Sequence, residues 1–328
     1  MKRDAIGIVE AAYDLDASDK GWLGGLLEKA APHLDRGLGV MVWRSGRGGR
    51  VTKEDVVALG VSKRAKQALF SVAASCPEEQ ARLMAPARLG MSLALLGLSE
   101  QEALRWPAYA KHLHPVGARE VMGAIVADPC GDLVGFSALS PDTAFPAPRE
   151  RGLWDRLLAH VAAGSRLRSR RPRPEEAVLS PSGSVKHAEA AATSRSARDA
   201  LRDAVRDVDR ARSRSRRDDD RALDLWQGLV SGRWSLIERF ESDGRRFYVA
   251  RRNDPDVAEP LVLTRRERQV VAYAAMGHPL KLIAYELGLG VSTVAEHRAS
   301  AMRKLGVRSV AELVGLRAPE THAGLMPP

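Results

Sequence analysis

The chain has 328 residues, a formal net charge of +10 and 45% hydrophobic residues. At roughly 150 residues per domain, this length predicts two domains with material left for a linker. The two cysteines, Cys76 and Cys130, are too few for a disulfide framework and fit a reducing compartment. No run of about 18 apolar residues occurs, which excludes a membrane-spanning helix, and acids interrupt the N-terminal stretch too often for a signal peptide. We therefore expect a cytoplasmic protein without a membrane partner.

Positive charge is concentrated in two segments of the chain. Residues 165–222 carry a net +6 and residues 263–328 a net +4, whereas residues 1–164 balance to +1. This distribution predicts a neutral first domain and a basic last one. A surplus of cations suits a polyanionic partner, although charge alone gives loose attraction and no specific site.

Residues 1–170 are predicted to form an α+β domain. "LGVMVWRS", the turn "GRGGR" and "VTKEDVVALG" fit a first hairpin, and "REVMGAIVAD", "PCGD" and "LVGFSALS" give the strongest hairpin signal in the chain. Helical spacing of apolar residues predicts helices at 6–13, 23–34, 63–75, 99–113 and 149–170. This order resembles that of GAF- and PAS-like sensor domains, whose helices flank an antiparallel sheet. The resemblance implies a sensor or dimerisation module for an unknown small-molecule or protein signal, and it identifies no ligand residue.

Residues 171–262 are predicted to connect two domains. "RPRPEEAVLSPSGS" has the composition of an exposed linker, and "DPDVAEPLV" has that of a second one. Between the two we expect a helix over 189–212, a short helix or helix pair over 223–240, and a turn and strand in "DGRRFYVARRN".

The helix predicted over 189–212 has a narrow, alanine-rich apolar stripe. The stripe comprises Ala197, Leu201, Ala204, Val208 and Ala211. The i,i+3 ion pairs Asp199–Arg202, Asp203–Arg206, Asp207–Arg210 and Asp209–Arg212 would each contribute ~0.2–0.5 kcal/mol. Packing against a second copy would stabilise such a helix, and a solvated interdomain helix is the alternative. The charge run "RARSRSRR" that follows fits a solvated arm or a nucleic-acid contact.

Residues 263–318 carry the signals of four short helices. Thr264 and Glu267 form a capping-box pattern, and Gly288 is placed to end the second helix. The helices are expected at 265–277, 280–287, 292–305 and from 310 onward. The second and third, joined by a short glycine-containing turn, form a helix-turn-helix.

The third of these helices has two different sides. The side that can face a small core comprises Val294, Ala301, Met302 and Leu305. The opposite side comprises Ser292, Thr293, Glu296, Arg298 and Arg303. Hydroxyl and guanidinium groups of this kind meet phosphates and base edges in the major groove of DNA.

"LTRRERQVVAYAAMGHPLKLIAYELGLGVSTVAEHRASAMRKLGVRSVAELV" closely resembles the LuxR-type helix-turn-helix domain of bacterial transcription regulators. The predicted DNA-binding residues are Lys281, Ser292, Thr293, Val294, Glu296, Arg298 and Lys304. Ser292 and Glu296 come from the exposed side of the helix, the other five follow from the resemblance, and His297 resembles a structural residue. Gly290 stands where the family usually has Ser or Thr. Ala295 stands where a Lys is common, which removes one DNA contact.

The sequence thus predicts a sequence-specific DNA-binding regulator of transcription, used as a homodimer on a two-fold site. No enzyme activity, cofactor or metal is expected. His112 and His114 are two residues apart and point to different sides of a helix, and "GRGGR" lacks the Lys-Ser/Thr of a phosphate loop. Two alternatives stay open: a protein-interaction adaptor that does not bind DNA, and an enzyme that its C-terminal domain locates on DNA.

Overall fold

The computed structural model describes residues 3–45, 55–75, 89–91, 93, 97–107, 109–129, 133–143, 145–169, 174–240, 243–257, 260 and 262–316. The chain divides into two compact units, Met1–Ala162 and Ala163–Pro319. Cys76, Cys130 and the predicted "GRGGR" turn lie outside the described residues.

The first unit holds a five-stranded antiparallel sheet with helices, as predicted. Its strands are β1 (Val40–Ser45), β2 (Val56–Leu59), β3 (Leu89–Met91), β4 (Glu120–Ala127) and β5 (Leu133–Ser140), in the order β2-β1-β5-β4-β3. Its helices are α1 (Ala5–Ala12), α2 (Asp19–Leu34), α3 (Lys63–Ser75), α4 (Glu100–Ala103) and α5 (Pro148–Ser169), which extends past Ala162. Both predicted hairpins, β1–β2 and β4–β5, are confirmed.

Both faces of this sheet are covered. Met41 and Trp43 of β1 pack in one cluster with residues of α3 and with the fully buried Tyr109. The alternate residues of the same strand, Val40 and Val42, have no exposed surface either. A strand buried on both faces reads as a continuous apolar run instead of an alternation, which is the pattern seen in "LGVMVW".

The single helix predicted over 99–113 is wrong. The chain forms the short α4, breaks, and then forms a π-helical turn over Tyr109–Leu113. Pro107 stands between the two. A proline has no amide hydrogen and clashes with the turn before it, which favours a break of the helix ahead of Pro107.

The second unit holds a four-stranded antiparallel sheet and six α-helices among its described residues. The strands are β6 (Glu175–Leu179), β7 (Val185–Ala188), β8 (Trp234–Phe240) and β9 (Arg246–Arg252), in the order β7-β6-β9-β8. The helices are α6 (Arg195–Arg212), α7 (Asp219–Leu225), α8 (Arg265–Ala275), α9 (Leu280–Leu287), α10 (Val291–Leu305) and α11 (Val310–Leu316).

Two predictions for the connecting region are wrong. The stretch predicted as the first linker holds β6, and the helix pair predicted over 223–240 is α7 followed by β8. A five-residue strand between proline and serine residues gives little periodic signal. In β8 the first four residues are all buried, so no alternation marks it as a strand. The second predicted linker begins with the buried Asp254 and Pro255, so it is not an exposed connection at its start.

Helix α6 begins six residues later than predicted. Ser194 caps it, since its hydroxyl accepts a hydrogen bond from the amide of Ala197 at 3.2 Å. Three of the predicted ion pairs are present: Asp199–Arg202, Asp203–Arg206 and Asp207–Arg210. The members of the fourth also pair with the β8–β9 hairpin, Arg212 with Glu238 and Asp209 with Arg246.

The apolar stripe of α6 is already covered within the single chain. Leu201 and Ala211 have no exposed surface, Val208 is 3% exposed, and Ala204 is the one member of the stripe that is partly exposed. The ion pairs to the β8–β9 hairpin hold this helix against its own sheet. The prediction that the stripe packs against a second copy is therefore wrong, because the stripe is buried before any partner arrives.

Candidate nucleic-acid interface

The predicted capping box at the start of α8 is confirmed. The Thr264 hydroxyl accepts a hydrogen bond from the amide of Glu267 at 3.3 Å, and a Glu267 carboxylate oxygen accepts one from the amide of Thr264 at 2.7 Å. Two amides that have no partner inside the helix are satisfied in this way. The first helix of the domain therefore starts where the sequence predicts.

The turn between α9 and α10 depends on Gly288. This residue has φ +58° at the C-terminus of α9, a conformation that side chains disfavour. A Cβ at this position would overlap the carbonyl oxygen of Leu229. Gly290 then precedes α10 with φ −66° and without a side-chain hydrogen bond, so it is an N-cap in ordinary extended backbone, as predicted.

A small apolar core fixes the orientation of α10. The core cluster includes Leu263, Val270, Tyr273, Ile283, Leu287, Val294, Ala301 and Leu313. Val294 and Ala301 are the residues of α10 with no exposed surface. The prediction that Val294 contacts DNA is therefore wrong: its side chain is enclosed by its own domain and cannot reach a groove.

The opposite side of α10 is open along its length. Ser292, Glu296, Ala299 and Arg303 follow one another at three- and four-residue spacing, and all four are exposed. This spacing keeps them on one line of the helix surface. We call them the outer line of α10. Ala299 was missing from the predicted site because it has no polar group, although its spacing from Ser292 and Glu296 would have found it.

The remaining predicted contacts lie beside the outer line or on α9. Thr293 is exposed at the first turn of α10, and Lys281 is exposed near the start of α9. Arg298 is only partly exposed, because it lies toward the core side of the helix. Their roles in binding DNA stay predictions.

Lys304 is engaged in a network with α8. Its ammonium group donates to both carboxylate oxygens of Glu267, at 2.7 and 2.8 Å, and the Ser300 hydroxyl donates to the same carboxylate at 2.7 Å. These bonds and the amide of Thr264 lower the pKa of Glu267 to about 2. The carboxylate thus joins the start of α8 to the last turns of α10, which holds the outer line at a fixed angle.

A second network joins the helix-turn-helix to α7 and to the turn before β8 of the same unit. The guanidinium group of Arg266 donates to the carbonyl oxygens of Gly232 at 2.7 Å and Ser231 at 2.9 Å. Both acceptors lie in a tight turn with positive φ, +50° at Ser231 and +63° at Gly232. The hydroxyl of Tyr285 likewise lies within hydrogen-bond distance of the carbonyl oxygens of Leu223 and Trp226, at 2.9 and 2.7 Å. We call residues 223–233 the platform.

The described residues contain no cluster of three or more histidines, cysteines and acids that could hold a metal ion. In that part of the chain, no helix is long and apolar enough to cross a membrane.

Comparison with known proteins gives matches for the C-terminal helices. Residues 261–316 match the family model described as bacterial regulatory proteins, luxR family. The transcriptional regulatory protein UhpA of Escherichia coli (strain K12) is 49% identical over 65 residues, which are 18% of this chain and 33% of that protein. FixJ of Rhizobium meliloti (strain 1021), also a transcriptional regulatory protein, is 39% identical over 84 residues, 24% of this chain and 41% of that protein.

The part of the chain that aligns with these relatives thus spans about a third of the length of UhpA and two fifths of the length of FixJ. The family match begins just before the capping box and ends with α11. Residues 261–316 are a helix-turn-helix domain of the luxR family.

Proposed function

We propose that this protein binds double-stranded DNA in a sequence-specific manner and regulates transcription. One observation carries the proposal: α10 buries one side in the core of a luxR-family domain and exposes the outer line on the other. A helix of this kind fits the major groove, where its outer side chains reach base edges. The relatives' names, which call them transcriptional regulatory proteins, support the same function.

Charge supports a contact with phosphates. Residues 263–328 carry a net +4, and the exposed Arg303 and Lys281 extend from α10 and α9. Lys304 has a different role in this proposal, because it is held by Glu267 and stabilises the domain. Binding that neutralises phosphates weakens as salt is added, with a log–log slope of about −0.9 for each phosphate.

The first unit acts as a sensor or dimerisation module in this proposal. Its sheet order, β2-β1-β5-β4-β3, and the helices that cover it support the resemblance to GAF- and PAS-like domains. We propose that the regulator works as a homodimer on a two-fold site, since a single recognition helix reads only a short sequence. Its interface lies outside the buried stripe of α6. Its place of action is the cytoplasm, where bacterial DNA is found.

A binding assay with a matched control tests the proposal. The full chain is mixed with genomic fragments, and the retained DNA is sequenced. The variants are Arg303→Glu on the outer line and Lys20→Glu, the same charge change at an exposed residue of α2. We expect a shared motif in the retained DNA, a strong loss of affinity for Arg303→Glu and none for Lys20→Glu. Retention of no fragment above random DNA, or equal binding by both variants, would contradict DNA recognition through α10 and favour the adaptor.

A further inference from the structure

The middle of the outer line carries an acid where a DNA-binding surface is expected to carry cations. Glu296 is exposed, and the residues one helical turn away from it are Ser292, Thr293, Ala299 and Ser300. None of these has a positive charge. Within the described part of the chain, Glu296 takes part in no ion pair. Its carboxylate is therefore available to a ligand.

The position of Glu296 decides which part of DNA it would meet. It lies on the side of α10 opposite the buried Val294 and Ala301. When such a helix enters the major groove, the centre of its outer side faces base edges, and its flanks face the phosphates. A carboxylate near phosphates is repelled by their charge. The energetically acceptable place for Glu296 is therefore over the bases.

The chemistry of the major groove narrows the choice of base. An ionised carboxylate only accepts hydrogen bonds, and the donors in this groove are the N4 amino group of cytosine and the N6 amino group of adenine. The adenine N6 lies between two acceptors, its own N7 and the O4 of thymine. Beside the cytosine N4, one neighbour is the O6 of guanine and the other is an apolar C5–H. A carboxylate is thus repelled less at cytosine.

We propose that Glu296 is a specificity-determining residue that selects cytosine, through its N4 amino group, at one position of each half-site. This proposal rests on the proposed function, since it requires α10 to lie in the major groove. It names the ligand as a duplex with a C·G pair opposite the middle of α10. It also implies that Glu296 lowers affinity for random DNA, because the acid repels phosphates wherever no amino group meets it.

Selection from a pool of random duplexes tests the proposal with the full chain. The variants are Glu296→Gln, Glu296→Ala and the control Glu189→Gln, which removes the same charge from an exposed residue outside α10. We expect the unsubstituted chain and Glu189→Gln to select cytosine at one position per half-site. Glu296→Gln should move that position to adenine, whose N6 and N7 suit an amide, with a change in base preference of about 5- to 150-fold. Glu296→Ala should lose the preference and bind random duplexes more tightly.

The outcomes separate this proposal from the proposed function. If the unsubstituted chain selects a motif and Glu296→Gln selects the same motif, Glu296 does not read a base, while DNA recognition stands. A preference for guanine or thymine at the position that responds to the substitution also overturns the proposal. If the unsubstituted chain selects no motif, both proposals fail. Equal melting temperatures of all variants show that the changes report on recognition and not on folding.

Discussion

Arg266 is the residue whose replacement best tests the docking of the helix-turn-helix onto the platform. Its guanidinium group donates to two backbone carbonyl oxygens, those of Gly232 and Ser231, and to the Gln269 side chain at 3.0 Å. Methionine has a similar stem and no donor. Arg266→Met therefore removes the hydrogen bonds and keeps much of the apolar contact.

The expected loss follows from the number and type of these bonds. A hydrogen bond to a charged group contributes roughly 1.5–3 kcal/mol to stability. Two carbonyl oxygens lose their partner, but Ser231 is partly exposed and water can replace part of its bond, so the losses are not fully additive. We expect the free energy of unfolding to fall by about 3 kcal/mol. For a unit of this size, that corresponds to a fall in melting temperature of roughly 6–12 °C.

Calorimetric unfolding of the full chain measures this change. The transition of the second unit should move, while that of the first stays in place. Arg198→Met is the matched control, because Arg198 is exposed on α6 and surface substitutions change stability by about 0.5 kcal/mol or less. A shift for Arg266→Met no larger than that of the control would show that the two carbonyl contacts do not hold the domain to the platform.

Three further predictions follow from the same unit. Because the pKa of Glu267 falls from 4.5 to about 2 on folding, its contribution to stability is present above pH 4.5 and lost toward pH 2. Glu267→Gln should therefore flatten the melting temperature as a function of pH between these values, and an unchanged curve would contradict the network with Lys304. Gly290→Ser should leave the melting temperature unchanged or raise it slightly, because the backbone at this position is ordinary and serine caps better by a few tenths of a kcal/mol. A fall in the free energy of unfolding above about 1 kcal/mol would show that glycine is required. Leu201→Glu with Val208→Glu should unfold the second unit, as circular dichroism would detect, and a folded monomer in sedimentation would instead restore the idea that the stripe joins two copies.

Local signals in the sequence predicted the recognition elements well. The capping box of α8, the end of α9 at Gly288 and the N-cap at Gly290 each depend on residues within a few positions of one another. The same holds for the paired strands β4 and β5, which are only a few residues apart in the chain. Interactions of this range leave a pattern that a single sequence displays.

Long-range pairing was not predictable in the same way. Strand β6 pairs with β9, and Val178 lies opposite Val249. Nothing in the sequence of either strand identifies the other as its partner. Lys304, a predicted DNA contact, also binds Glu267, which lies far away in the sequence. Val294 was assigned to both the core and the DNA, and burial decides for the core. In each case the deciding interaction joins elements that only the folded chain brings together.

The docking of the helix-turn-helix onto the platform was hidden for a further reason. Arg266 and Tyr285 bind backbone carbonyl oxygens, and every residue type offers such an acceptor. The side chains of the platform therefore need no particular chemistry, apart from the positive φ at Ser231 and Gly232. Since a Cβ at Gly288 would overlap the carbonyl oxygen of Leu229, the same surface also restricts the turn before α10. Residues 261–316 match the family model, but backbone atoms of the platform, which precede the match, also stabilise this domain. The family pattern does not include these residues, so it could not predict the contacts.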